Sequence, residues 1–170
     1  MSSQSSLDLH ATSLFQSLIS SKQNLVLAES CTGGLIAATL ARLPGISGYL
    51  AGSFVVYQID SKVRWLGVSQ ELINTANVVS EQVAVSMARG ALTCTPHASV
   101  SLGITGHLGP GAPSELDGVV WIAVHSCDGT SLTRQVLLPP RADLSDLQLR
   151  HYRQQMATEQ AMVLLLDFLN

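Results

Sequence analysis

Three short segments of this 170-residue sequence carry residue types that could do chemistry. The first is Ala28-Glu29-Ser30-Cys31-Thr32-Gly33-Gly34. It follows a short apolar run and precedes a helix-compatible one, so its backbone amides would lie at a helix N-terminus. Two glycines allow a ligand to approach the backbone closely. A hydroxyl beside such amides can attack a carbonyl while the amides hold the resulting oxyanion. The same pattern also suits an ordinary N-cap at Ser30 or Thr32. Cys31 is intrinsically the better nucleophile, but no cation near it in sequence would lower its pKa, which points to a small buried thiol.

The second segment is Tyr57-Gln58-Ile59-Asp60-Ser61-Lys62. On one helix, Tyr57 and Lys62 would be separated by roughly 140° at about 3.6 residues per turn. They converge only if Tyr57 lies outside the helix. Lys62 serves as a base only if burial or a nearby cation brings its pKa down from about 10.4. Otherwise it is a solvated lysine beside a core-edge tyrosine. The third segment, Thr105-Gly106-His107-Leu108-Gly109-Pro110-Gly111, follows a strand-like run and is rich enough in glycine to cradle a phosphate or to be a plain turn. It contains neither GK[ST] nor GxGxxG. His10, His97, His125 and His151 are scattered without metal-ligand spacing, and no metal is predicted.

The elements that must position these segments are legible in the hydrophobic pattern. Leu7, Ala11, Leu14 and Leu18 recur at helical spacing and predict a helix to about Ser21. Strands are expected at 24–28, 49–57 and 98–104, at Val119–His125 and across SLTRQVLL, with Asp128-Gly129 as the hairpin turn between the last two. LIAATLARL, the stretch from Ser61 to Leu66, QELIN after Ser69, and the run after Ser80-Glu81 read as helices. A long helix is expected over 144–168 with Leu149, Tyr152, Met156 and Val163 on one side. Helices alternating with continuously apolar strands predict a three-layer α/β/α sandwich with a mixed, mostly parallel sheet of about five strands. Residues 1–170 read as one domain with 1–6 disordered.

Composition narrows the function. Lys and Arg number 9 against 12 Asp and Glu, a net charge of -3, which disfavours a duplex-binding domain. Aromatics at 5% argue against a stacking platform for single strands. Hydrophobic residues at 46% exclude wholesale disorder. Charged residues at 12% are about half the usual share, which suggests a surface shared with another subunit and hence a homo-oligomer. Three unpaired-looking cysteines, no secretory leader and no apolar run near about 20 residues predict a cytoplasmic protein away from membranes.

Taken together and in order, AESCTGG, SFVVYQIDSKVRWLGV, VSEQVAVSMARGA, ITGHLGPG and GVVWIAV resemble the CinA C-terminal domain family. That family includes stand-alone nicotinamide-nucleotide amidohydrolases of the PncC type. The resemblance implies hydrolysis of the carboxamide of nicotinamide mononucleotide to nicotinate mononucleotide and ammonia, without metal or organic cofactor. It assigns the nucleophile to Ser30 and its assistants to Tyr57 and Lys62. Amides from Cys31, Thr32, Gly33 and Gly34 would hold the oxyanion. Thr105, Gly106, His107 and Gly109 would line the substrate, with Arg153, then Arg141, and more weakly Arg64, meeting its phosphate. The chain departs from the family pattern at Ile59, where a polar residue is usual, at His107-Leu108 and Ala112 in the glycine loop, and at Leu116-Asp117, where Lys-Pro is common. An anion at Asp117 would disfavour phosphate binding if it faced the ligand. These departures leave two other expectations standing: a non-catalytic relative that binds a small ligand or a partner, and an amidohydrolase acting on a different carboxamide.

Overall fold

The computed structural model describes residues 6–170. The expectation of disorder at 1–5 lies outside the described residues, whereas Ser6 opens a helix. In chain order the elements are α1 (Ser6–Ser21), β1 (Leu25–Glu29), α2 (Leu35–Leu40), a 3-10 turn (Ile46–Gly48), β2 (Leu50–Val55) and α3 (Ile59–Leu66). There follow α4 (Gln70–Ala76), α5 (Glu81–Thr93), β3 (Val100–Gly106), β4 (Val119–Ser126), β5 (Ser131–Leu137) and α6 (Asp146–Leu169). The five strands form one sheet in the order β2-β1-β3-β4-β5. β1 pairs parallel with β2 and β3, while β4 runs antiparallel to both β3 and β5. Four strands therefore share one direction, as the mixed, mostly parallel reading expects.

β1 is buried along its whole length. Leu25 and Leu27 enter the core beneath α1, α2 and α6, and Val26 and Ala28 enter the core beneath α3 and α5. A strand covered on both faces can be apolar at every position, which is why it reads as a run rather than an alternation. α5 crosses the sheet at Gly103, where a Cβ would stand 2.3 Å from Ala84 O. The close approach of a helix backbone to a strand backbone is the reason for glycine there.

Helix starts follow the expected chemistry. Ser69 and Ser80 accept from the amides of Leu72 and Val83. Ser145 and Gln148 form a reciprocal capping box at α6. Two readings change. α2 stops at Leu40, and 41–43 continue as tighter turns with Arg42 N donating to Thr39 O and Leu43 N to Leu40 O. The buried face of α6 is Arg153, Ala157, Thr158, Ala161, Met162, Leu164 and Leu165, not the line through Leu149, Tyr152, Met156 and Val163. Alanines at 157 and 161 let α6 pack closely, and the larger side chains flank the contact.

Candidate active site

The register of the three parallel strands builds the site. Glu29 at the end of β1 lies opposite Val55 of β2 and Ile104 of β3. The segments that leave these strands, Ser30 onward, Val56-Tyr57 and Thr105 to His107, therefore emerge side by side at one sheet edge. This is the edge where open α/β sheets commonly place ligands. They enclose a cleft lined by Ser30, Cys31, Tyr57, Ile59, Lys62, the loop from Thr105 to Ala112, and Arg150.

Tyr57 lies outside α3, as convergence with Lys62 requires, and Gln58 occupies the N-cap position. Lys62, one turn into α3, is buried rather than solvated, with 1% of its surface exposed. Its Nζ donates to Ser30 Oγ at 2.8 Å and to Val56 O at 2.8 Å, with a longer contact of 3.4 Å to Tyr57 O. Burial lowers its pKa to about 8. The Cys31 thiol is pushed up to about 12, chiefly by burial, so it is an inert neighbour of Ser30 and not a competing nucleophile.

The loop after Ser30 is organised by Glu29, which sequence reasoning passed over. Glu29 is fully buried. Its Oε2 accepts from Thr32 Oγ1 at 2.8 Å, Gly34 N at 3.0 Å and Ile36 N at 3.1 Å. Its Oε1 accepts from Ala37 N at 3.0 Å and Ser53 Oγ at 3.1 Å. Gly33 N donates to Ser30 O, and Thr32 O accepts from Gln154 Nε2 of α6. The amides of Gly33 and Gly34 are thus engaged inside the protein, which leaves Cys31 as the loop residue whose amide can face the cleft. Thr32, Gly33 and Gly34 do not line the cleft, whereas Cys31, Thr105, Gly106, His107 and Gly109 do.

The arginines are arranged differently from the expectation. Arg153 is buried, with Nη1 and Nη2 donating to the two carboxylate oxygens of Asp117 at 2.7 and 2.8 Å. The pairing holds the Asp117 carboxyl below the usual carboxylate range. Asp117 is therefore neutralised by an arginine and is not a free anion aimed at a ligand. Arg141 pairs with Asp143 and covers the Tyr152 ring. Neither Arg153, Arg141 nor Arg64 lines the cleft. The arginine that lines the cleft is Arg150, which donates to Gly109 O and to the exposed Tyr57 hydroxyl. Arg150 precedes Arg153 by one helical turn, and its place could be found only with the correct inner face of α6 in hand. Among the described residues no group of three or more His, Cys, Asp and Glu side chains is placed to hold a metal ion. None of their helices is long and apolar enough to cross a membrane.

A buried serine–lysine pair at the C-terminal edge of a mixed α/β sheet, with a glycine loop facing it, defines the class of protein, and comparison with known proteins gives the family. The chain belongs to the CinA C-terminal domain family, whose model matches residues 8–169. A CinA-like protein of Mycobacterium sp. (strain JLS) is 46% identical over 125 residues, which is 72% of this chain and 29% of that protein. A CinA-like protein of Mycobacterium tuberculosis (strain ATCC 25177 / H37Ra) is 42% identical over 127 residues, covering 73% of this chain and 29% of that one. The chain thus spans about 29% of the length of these curated relatives. The crystal structure of a CinA superfamily protein from Escherichia coli superposes with a TM-score of 0.85 at 30% identity, over 95% of this chain and 90% of that one. The competence/damage inducible protein CihA from Agrobacterium tumefaciens gives 0.81 at 31% identity, over 96% and 99%.

Proposed function

We propose that the chain is an amidohydrolase that converts nicotinamide mononucleotide to nicotinate mononucleotide and ammonia. The observation that carries this reading is the 2.8 Å contact between a buried Lys62 amine and Ser30 Oγ inside the cleft. With a pKa of about 8, roughly a tenth of Lys62 is neutral at pH 7 and able to take a proton. Ser30 Oγ attacks the carboxamide carbon as its proton passes to Lys62. The oxyanion that forms is met by the amide of Cys31, whose residue lines the cleft beside Ser30. Lys62 returns the proton to the amide nitrogen, the C–N bond breaks, and ammonia leaves an ester on Ser30. Water then attacks this ester, giving its proton to Lys62, and Ser30 departs as the hydroxyl with a carboxylate as product. No step in this scheme draws on a metal or organic cofactor.

Arg150 is the residue we assign to the substrate's phosphate, in place of Arg153 and Arg141. It is the arginine that lines the cleft, and a guanidinium binds phosphate through paired donors. To His107, which lines the cleft from the opposite loop, we assign contact with the nicotinamide or ribose portion. The test is chromatographic detection of nicotinate mononucleotide from nicotinamide mononucleotide, with nicotinamide riboside beside it. The phosphorylated substrate should turn over with the higher kcat/KM. Turnover of the riboside alone would move the substrate to an unphosphorylated carboxamide. Binding without turnover by folded protein would make the chain a ligand-binding member of its family.

A further inference from the structure

Glu29 is the one fully buried acidic side chain among the described residues, and its five partners are all neutral donors. Three are backbone amides of Gly34, Ile36 and Ala37, at the N-terminus of α2. The fourth and fifth are the hydroxyls of Thr32 and of Ser53 on the neighbouring strand β2. The backbone of Glu29 is fixed as well, since Val56 N donates to Glu29 O at 2.8 Å. One carboxylate therefore joins β1, β2 and α2 around the five-residue loop that carries Ser30. From α6, Gln154 Nε2 holds the far side of the same loop at Thr32 O, 2.8 Å away.

We infer that Glu29 is a positioning residue: an internal anion that fills the α2 N-terminus and holds the loop so that Ser30 Oγ stays within reach of Lys62. The inference rests on the reading of Ser30 as the nucleophile. It has a consequence for the substrate, because the amides of Gly34, Ile36 and Ala37 are not available to a phosphate, which is left to Arg150. Isosteric replacement by Gln keeps the size of the side chain but presents an NH2 group where Ala37 N and Ser53 Oγ donate. The loop must then shift, and displacement of a reacting group by a fraction of an ångström slows reaction at that group.

The experiment measures the rate at which a fluorophosphonate labels Ser30, followed by peptide mass spectrometry, in the whole chain and its Glu29→Gln variant. Labelling forms an Oγ–P bond, expels fluoride and passes the serine proton to Lys62, so it reports on the pair without assuming any substrate. We expect labelling at Ser30 to slow by about tenfold or more in Glu29→Gln while reaching the same final stoichiometry. The pH midpoint should stay near 8, the value to which burial brings Lys62, because the substitution leaves that burial in place. A variant that labels at the wild-type rate overturns the inference and leaves the nucleophile intact. A lower final stoichiometry at an unchanged rate also overturns it, because only the folded fraction has then changed. Failure of the wild type to label at Ser30 removes the nucleophile and the inference with it. Should Glu29→Gln fail to fold, Thr32→Val and Ser53→Ala each remove one donor. Slower labelling in both supports the inference, and wild-type rates in both overturn it.

Discussion

Lys62 donates to Ser30 Oγ and Val56 O from a buried position at the cleft wall, and that setting predicts a pH signature. kcat/KM for carboxamide hydrolysis should rise with pH through a midpoint near 8, as the amine becomes neutral. Lys62→Met should abolish turnover. It also tests the linkage. The folded-state pKa of about 8 lies below the usual lysine value of 10.5, so between these values the unfolded chain binds the extra proton. Wild-type stability should therefore climb relative to Lys62→Met from pH 8 to 10.5, by up to about 3 kcal/mol, and run parallel to it on either side. Denaturant titrations of both proteins across that range measure it, and parallel curves throughout would place Lys62 at an ordinary pKa. For Arg150→Ala, KM for nicotinamide mononucleotide should rise about tenfold or more with a smaller change in kcat, and nicotinamide riboside should be indifferent to it. At this scale Ser30, Tyr57 and Lys62 were singled out by resemblance to a family motif, and their spacing said only that Tyr57 must lie outside the helix that carries Lys62, as it does. Glu29 and Arg150 were not, because a carboxylate at a strand end and an arginine on a helix carry no local mark of what they face.

Among the elements, α5 is the one that most limits substitution. At Gly90 a Cβ would stand 2.0 Å from Leu66 O of α3, and at Gly103 of β3 it would stand 2.3 Å from Ala84 O of α5. Gly90→Ala and Gly103→Ala should each destabilise by about 2–3 kcal/mol, although alanine is the better helix former at position 90. Thermal melts that show no loss would mean the helices can separate without cost. Ser69, Ser80 and the Asp128-Gly129 turn could be read in advance because cap and hairpin chemistry is local. The inner face of α6 could not. Its apolar residues encircle the helix, and the face that packs is chosen by small Ala157 and Ala161 and by a buried Arg153. A hydrophobic pattern reports which residues are apolar, and not which of several apolar lines lies closest to the sheet.

For the molecule as a whole, the parallel order of β2, β1 and β3 brings Ser30, the Tyr57–Lys62 segment and the glycine loop to one edge, and the Asp117–Arg153 pair ties the far end of the third loop to α6. The sandwich was legible from its alternation of elements, whereas strand order depends on contacts that no local pattern encodes. Asp117→Ala leaves a buried guanidinium with only Pro139 O as a partner and should cost about 2 kcal/mol. The carboxyl's depressed pKa makes that contribution present above the unfolded carboxylate pKa and lost as pH falls through the folded one. Acid titration of stability should therefore be steeper for the wild type than for Asp117→Ala. The account turns on the Ser30–Lys62 pair acting on a carboxamide, and ammonia release from nicotinamide mononucleotide, by wild type and Ser30→Ala side by side, tests that most directly. Release by the wild type that disappears in a Ser30→Ala protein with unchanged melting temperature is the predicted result. Equal release from both proteins, or none from folded wild type, would contradict it.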